Sequence, residues 1–264
     1  MKKAFLILCY FILAACATST EEGAVGVHRK QFLLASSEQI EAESAKSYEQ
    51  ILADARTKKI LNVNPAQVSR IQAIINRIIP HTAIFRADAV KWNWETNVMT
   101  LDELNAWCMP GGKMMVYTGL VDQLKLTDAE IAAVMGHEIA HALREHGRER
   151  YSQELAKQVG ASLLVMTGAV DEKYVQMGLA ASVFFSLKYG RDQESEADTI
   201  GLELMARAGY NPQEAITLWK KMGAASGGAK LPPWLSTHPS GETRIRDITA
   251  LLPKVMPLYS AAKK

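Results

Sequence analysis

Cysteine is scarce in this 264-residue chain, and its three cysteines are badly placed for pairing. Cys9 lies inside an N-terminal apolar run and Cys16 closes that run. Cys108 is left alone in the body, which excludes an internal disulfide. An excess of one charge is also missing. Lys and Arg number 30 against 28 Asp and Glu, and without Lys2 and Lys3 the two signs balance. No basic excess points to nucleic acid as a partner. Long hydrophobic runs are absent as well. The apolar stretches within 4–15, 155–167 and 174–187 fall short of the ~20 residues that a spanning helix needs. With 48% hydrophobic and 22% charged residues, the chain has the make-up of a globular protein, long enough for one good core.

What the chain does contain is His137-Glu138-Ile139-Ala140-His141, an H-E-x-x-H pattern in a segment that reads as helix. Thr127-Asp128-Ala129-Glu130 is a capping box, so a helix starts just ahead of it. Ile131, Val134, Met135, Ile139, Ala142 and Leu143 form an apolar stripe at helical spacing. At 3.6 residues per turn, His137 and His141 share a face, where two imidazoles can grip one Zn2+ per chain. Glu138 sits about 60° round the helix from His141 and inside the apolar stripe. A carboxylate there is costly unless something satisfies it, and a zinc-bound water does so. This is the arrangement for metal-assisted peptide hydrolysis, with Glu138 as the candidate catalytic base.

A catalytic zinc usually takes three protein ligands. A third His ten residues after the first, with a Gly at the seventh, is one solution; those positions hold Gly147 and Arg144. His146 falls about 180° round the same helix and is expected to cap or pack its end. The other solution is a carboxylate from a later helix. In Glu194-Ser195-Glu196-Ala197-Asp198, Glu194 and Asp198 share a face, which suits a Glu ligand and an Asp that orients a ligating His. The same run also reads as a solvated acidic face. Glu196 points elsewhere and is expected at the surface.

His137-Glu138-Ile139-Ala140-His141, Glu194-Ser195-Glu196-Ala197-Asp198, and Thr237-His238-Pro239 with Arg244 six residues after His238 together resemble the gluzincin family of the CAAX prenyl proteases and HtpX. Asn105-Ala106 and Pro110-Gly111-Gly112 fit as well. The likeness covers roughly residues 30–252, and is greatest to the periplasmic lipoprotein branch with LoiP, YcaL and BepA. It implies that His137, His141 and Glu194 hold the zinc, that Glu138 is the base, and that Asp198 orients a ligating imidazole. It implies unfolded or misassembled envelope polypeptides as substrates. His238 carries two open readings: a group that reaches the zinc or the developing oxyanion, in a latent or a catalytic role, and a loop-fixing residue next to Pro239. Arg244 is expected to brace the last helix. The alternative function is an envelope chaperone or assembly factor whose zinc site is plugged by His238.

Residues 1–15 read as a secretion signal, and Leu13-Ala14-Ala15-Cys16 resembles the bacterial lipobox. By that likeness Cys16 is acylated and holds the protein to a bilayer, in the cell envelope facing the periplasm, with the outer membrane favoured by Ala17. Residues 16–35 are then a lipidated N-terminus and tether, and 36–258 the zinc metalloprotease domain. Ser36 or Ser37 caps a helix through about Lys58, and Asn64-Pro65 starts another. Residues 83–121 read as strands, one of them carrying Trp92 and Trp94, with a hairpin at Pro110-Gly111-Gly112. The strand through Asn105, Ala106 and Trp107 is expected to border the cleft, where an extended peptide would add to its edge. Cys108 as a nucleophile is set aside, because the zinc motif specifies a mechanism more fully. The fold class expected is α+β: a mostly helical zincin-type metalloprotease with a small antiparallel sheet bordering the active-site cleft.

Overall fold

The computed structural model describes residues 16–166, 189–225, 232–238 and 242–263. The chain opens with a short antiparallel pair, β1 (Cys16–Ala17) and β2 (Gln31–Phe32). Helix α1 (Ser37–Thr57) follows, with Ser36 as its cap: the Ser36 hydroxyl accepts from the Gln39 amide. Its buried face carries Ile40, Tyr48 and Leu52. Helix α2 (Pro65–Ile78) starts as the sequence requires, with the Asn64 side chain accepting from Gln67 N and Pro65 in the first turn. Ile71, Ile74, Ile75 and Ile78 make its buried stripe.

Residues 83–121 depart from the all-strand expectation. Short 3-10 helices occupy Ile79–Ile84 and Ala89–Lys91. Trp92 and Trp94 lie just ahead of the strand β3 (Glu95–Met99), their rings 5.4 Å apart. Alternation at a period of two comes from extended backbone alone, so it does not distinguish a strand from the extended link before one. Trp94 donates its indole N–H to Ala89 O instead of lying in a ladder. The hairpin forms as expected, from β4 (Ala106–Met109) and β5 (Lys113–Tyr117). Gly111 and Gly112 turn it with φ of +78° and +80°. A Cβ at Gly112 would also sit 2.6 Å from the Trp94 ring.

The sheet order is β3-β5-β4, and β3 pairs with β5 in parallel. The small sheet is therefore mixed, where an antiparallel one was expected. The reason is insertion: β5 enters between β3 and β4, so the hairpin itself serves as the crossover that a parallel pair needs. This leaves β4 at an edge.

Beyond the short helix α3 (Thr118–Gln123), Thr127 and Glu130 close both arms of the capping box and start α4 (Asp128–Leu143). Glu145, at φ +50°, turns the chain into α5 (His146–Met166). Helix α6 (Arg191–Arg207) crosses α4 closely. A Cβ on Gly136 would lie 2.9 Å from Gly201 O, and one on Gly201 would lie 2.7 Å from His137 N. Gly209, at φ +76°, ends the turn after α6. Helices α7 (Glu214–Ala225), α8 (Pro233–Thr237) and α9 (Glu242–Ala262) complete the body. The apolar segment 174–187 and the loop at 226–231 lie outside the described residues.

Of residues 16–35, read from the sequence as a lipidated N-terminus and tether, several side chains are packed on the body. Val25 and Val27 are buried in the main core, and Gln31 is wholly buried. Val25 N donates to Glu203, and Gln31 to Arg144 O. A few anchors inside a small, polar stretch were enough to dock it, and composition hides them.

Candidate metal centre

Helix α4 presents His137, Glu138 and His141 to one side, and the close crossing at Gly136 and Gly201 brings α6 within reach. His137 Nε2 lies 3.0 Å from His141 Nε2. Glu194 of α6 places its carboxylate 3.6 Å from the first and 3.5 Å from the second. His238, directly after α8, brings Nδ1 to 2.9 Å from Glu194 and 3.2 Å from His137 Nε2. All four residues are buried, and their ligand atoms lie within 4.8 Å of one another.

The hydrogen bonds behind the imidazoles show whether this set fits a metal. His137 Nδ1 donates to Asp198 Oδ1 at 3.0 Å, which leaves its Nε2 as a bare lone pair. His141 Nδ1 meets His146 Nδ1 at 2.8 Å, and His146 Nε2 meets Glu196 at 2.9 Å. Since the carboxylate only accepts, His146 Nε2 carries the proton and its Nδ1 accepts from His141. His141 Nε2 is then bare as well. Two lone pairs 3.0 Å apart, beside a carboxylate, repel each other without a cation between them. Metal–nitrogen bonds of 2.0–2.1 Å in a tetrahedron put ligand atoms ~3.3 Å apart, close to the spacings here. The residues fit zinc.

Burial pushes the His141 imidazole's pKa well down, favouring the neutral form a ligand needs. For Glu194, burial works to raise the pKa, but the neighbouring His141 and His238 imidazoles outweigh it and hold the carboxyl far below its usual range. Burial opposes ionisation at Asp198 too, and the Arg244 guanidinium outweighs it. Arg244 bonds Glu194 at 2.5 Å and Asp198 at 2.5 and 2.7 Å. It was expected to brace α9; it clamps the ligand carboxylate and the orienting one together. Glu196, expected at the surface, is buried among Arg29, Arg144 and His146. Helix α6 is covered on both sides, so the face opposite Glu194 is not solvent. His146, expected on the far side of one continuous helix, folds back on His141 because the chain turns at Glu145.

Two residues of the site had no signal of their own. Trp234 donates its indole N–H to Glu138 Oε1 at 2.6 Å. Tyr189 stacks on His141 with ring centres 3.7 Å apart. A pair of prolines ahead of Trp234 marks only a loop. A cleft of about 950 Å³ opens onto Glu138, His141, Tyr189 and His238, and is bordered by Asn105, Ala106 and Trp107 on the β4 side. Of the predicted site residues, His137, Glu138, His141, Glu194, Asp198 and His238 are thus brought together, with Asn105, Ala106 and Trp107 along the cleft; Cys16 lies apart, in β1. Cys108 is buried, and burial raises its thiol pKa well above the ordinary value, which removes it as a nucleophile.

A second-helix glutamate completing an H-E-x-x-H pair defines a gluzincin-type metallopeptidase site. The family model of Peptidase family M48 matches residues 65–252, and the chain belongs to that family. It is 40% identical over 152 residues to mitochondrial metalloendopeptidase OMA1 of Arabidopsis thaliana, covering 58% of this chain and 30% of that protein. Metalloprotease YcaL of Escherichia coli is 29% identical over 153 residues, covering 57% of this chain and 59% of its own. A putative beta-barrel assembly-enhancing protease of Vibrio cholerae is 28% identical over 212 residues, with 75% and 43% covered. The chain therefore spans between about a third and three fifths of these relatives' lengths. The likeness extends to mitochondrial endopeptidases as well as to the bacterial branch expected from the motifs.

Proposed function

We propose that the chain is a zinc metalloendopeptidase of the bacterial cell envelope that hydrolyses misfolded or misassembled proteins. The observation that carries the peptidase reading is the pair of bare imidazole nitrogens beside Glu194, with Glu138 next to them at the wall of an open cleft. His137, His141 and Glu194 would hold a zinc ion, which would supply Lewis-acid chemistry toward water and a peptide carbonyl. Glu138 takes the proton from the attacking water and passes it to the leaving amine. Its Oε1 is fixed by Trp234, which leaves Oε2 for that transfer. Asp198 and Arg244 hold His137 and Glu194 in orientation throughout. The edge of β4 offers main-chain groups to an extended substrate, and such pairing reads little sequence.

Cleavage of casein by the protein starting at Ala17 tests this reading. Cutting that a chelator stops, zinc restores and Glu138→Gln abolishes is the expected result. Absence of cutting at full zinc occupancy would defeat it. The envelope location and the acyl anchor on Cys16 rest on the N-terminal pattern, and incorporation of labelled fatty acid lost in Cys16→Ser checks them.

His238 favours a second reading. Its Nδ1 lies among the ligands and its Nε2 is 3.6 Å from Glu138, so it fills the position that water and a substrate carbonyl need. A four-ligand site of this kind is latent, and an assembly or chaperone role then comes to the front. His238→Ala raises proteolysis if the residue is a plug and lowers it if it assists; unchanged kinetics eliminates both roles.

A further inference from the structure

Behind the metal centre lies a buried polar cluster that joins α4, α5, α6 and the N-terminal segment. Glu196 accepts from His146 at 2.9 Å, from Arg144 at 3.0 and 3.2 Å, and from Arg29 at 3.0 Å through two nitrogens. Arg29 also bonds both oxygens of Glu149, at 2.6 and 2.8 Å. Arg144 in turn donates to Thr18, Thr20 and Arg29 O. Arg144 and His146 are wholly buried. So the N-terminal segment, which precedes the family match at residue 65, is keyed into the hydrogen bonds behind a metal ligand.

The two imidazole ligands are served differently. His137 meets its carboxylate, Asp198, directly. His141 reaches one only through a second ring: His141 Nδ1–H to His146 Nδ1, then His146 Nε2–H to Glu196. Each ring passes the constraint on, because an imidazole that donates from one nitrogen and is neutral must accept at the other. Reversing the proton on His146 would present N–H to His141 Nδ1. His141 would then carry its own proton on Nε2, facing the metal position, and could not ligate.

We propose that His146 and Glu196 are positioning residues that fix His141 in its ligating tautomer, and that the N-terminal segment, through Arg29, holds Glu196 for that task. The proposal rests on His141 being a zinc ligand. Two carboxylates, Glu149 and Glu196, face two guanidiniums, Arg29 and Arg144, so the cluster is balanced while His146 stays neutral. An arginine delivered by residues 18–32 thereby reaches the metal site through three hydrogen bonds.

The test uses the full chain with ¹⁵N-labelled histidine, read in two ways: the His141 tautomer by long-range ¹H–¹⁵N correlation in the zinc-free protein, and zinc affinity by competition with a chromogenic chelator. His146→Phe keeps a ring but removes the acceptor. It is expected to shift His141 toward Nε2–H and to weaken zinc about 10- to 100-fold, the usual cost of losing such a partner. His146→Gln retains an acceptor oxygen and is expected to recover most of that loss. Glu196→Gln and Arg29→Met, the latter at a partly exposed side chain, should move both readings in the same direction by smaller factors. If His146→Phe leaves tautomer and affinity unchanged, or if Phe and Gln lose affinity equally with the tautomer unmoved, the proposal is overturned. Should His146→Phe fail to fold, Glu196→Gln and Arg29→Met decide by the same criteria. His141→Ala separates the premise: wild-type zinc affinity in that variant removes the ligand reading itself, whatever His146 does.

Discussion

Glu138 and Trp234 meet in a buried charge-assisted bond of 2.6 Å, and the pair sets what the base can do. Replacing Trp234 with Phe keeps the ring against Trp219 and His238 but frees the carboxylate. Expected is a roughly tenfold fall in kcat with zinc content unchanged, against 10²-fold or more for Glu138→Gln. Steady-state kinetics beside metal analysis distinguishes this from loss of the site. Arg244 makes a different prediction. Removing it as Arg244→Met leaves Glu194 and Asp198 as buried carboxylates without their cation, at a cost of about 3 kcal/mol in the metal-free protein. Zinc replaces part of the lost positive charge, so chemical denaturation should show a smaller deficit with metal than without it. An equal deficit in both states would mean that the clamp acts by packing.

Among elements, the crossing of α4 and α6 governs the ligand spacing. Gly201 lets the helix backbones meet at His137, and a Cβ 2.7 Å from His137 N forces them apart. Gly201→Ala is expected to weaken zinc binding and lower Tm together, because the same displacement opens the core and moves Glu194. Normal zinc affinity in a destabilised Gly201→Ala would show that the centre tolerates the shift. The contact of the N-terminal segment with α5 and α6 has an acid signature. Burial works to raise the Glu196 pKa, but His146 and Arg29 hold it down to about 2, from 4.5. A depressed folded-state pKa contributes stability above the unfolded value, and that contribution is lost as pH falls through the folded one. Stability should therefore decline from about pH 4.5 toward pH 2, and Glu196→Gln should flatten the decline in that window.

For the whole molecule, the proposed zinc ties α4 to α6, two segments far apart in sequence, with His238 after α8 beside it. A ligand that binds only the folded state at 100 times its Kd adds about 2.7 kcal/mol. Chelation should then lower Tm by about 5–10 °C in a chain of this size. An unchanged Tm would mean that the zinc site contributes nothing to holding these segments. Among the described residues, no helix is long and apolar enough to cross a membrane.

The motif residues were legible because their signals are local. His137, Glu138 and His141 follow from helical periodicity, and the Thr127–Glu130 box, the Asn64-Pro65 start and the Gly111-Gly112 turn each depend on a few adjacent residues. Glu194 and Asp198 could be paired by their four-residue spacing, and family resemblance gave them a partner. What tertiary structure alone decided has no local code. The parallel pairing of β3 with β5, the buried place of Glu196, the return of His146 to His141 and the docking of residues 18–32 all depend on which surfaces meet. An acidic residue on a helix reads the same whether its face meets water or two arginines from elsewhere in the chain.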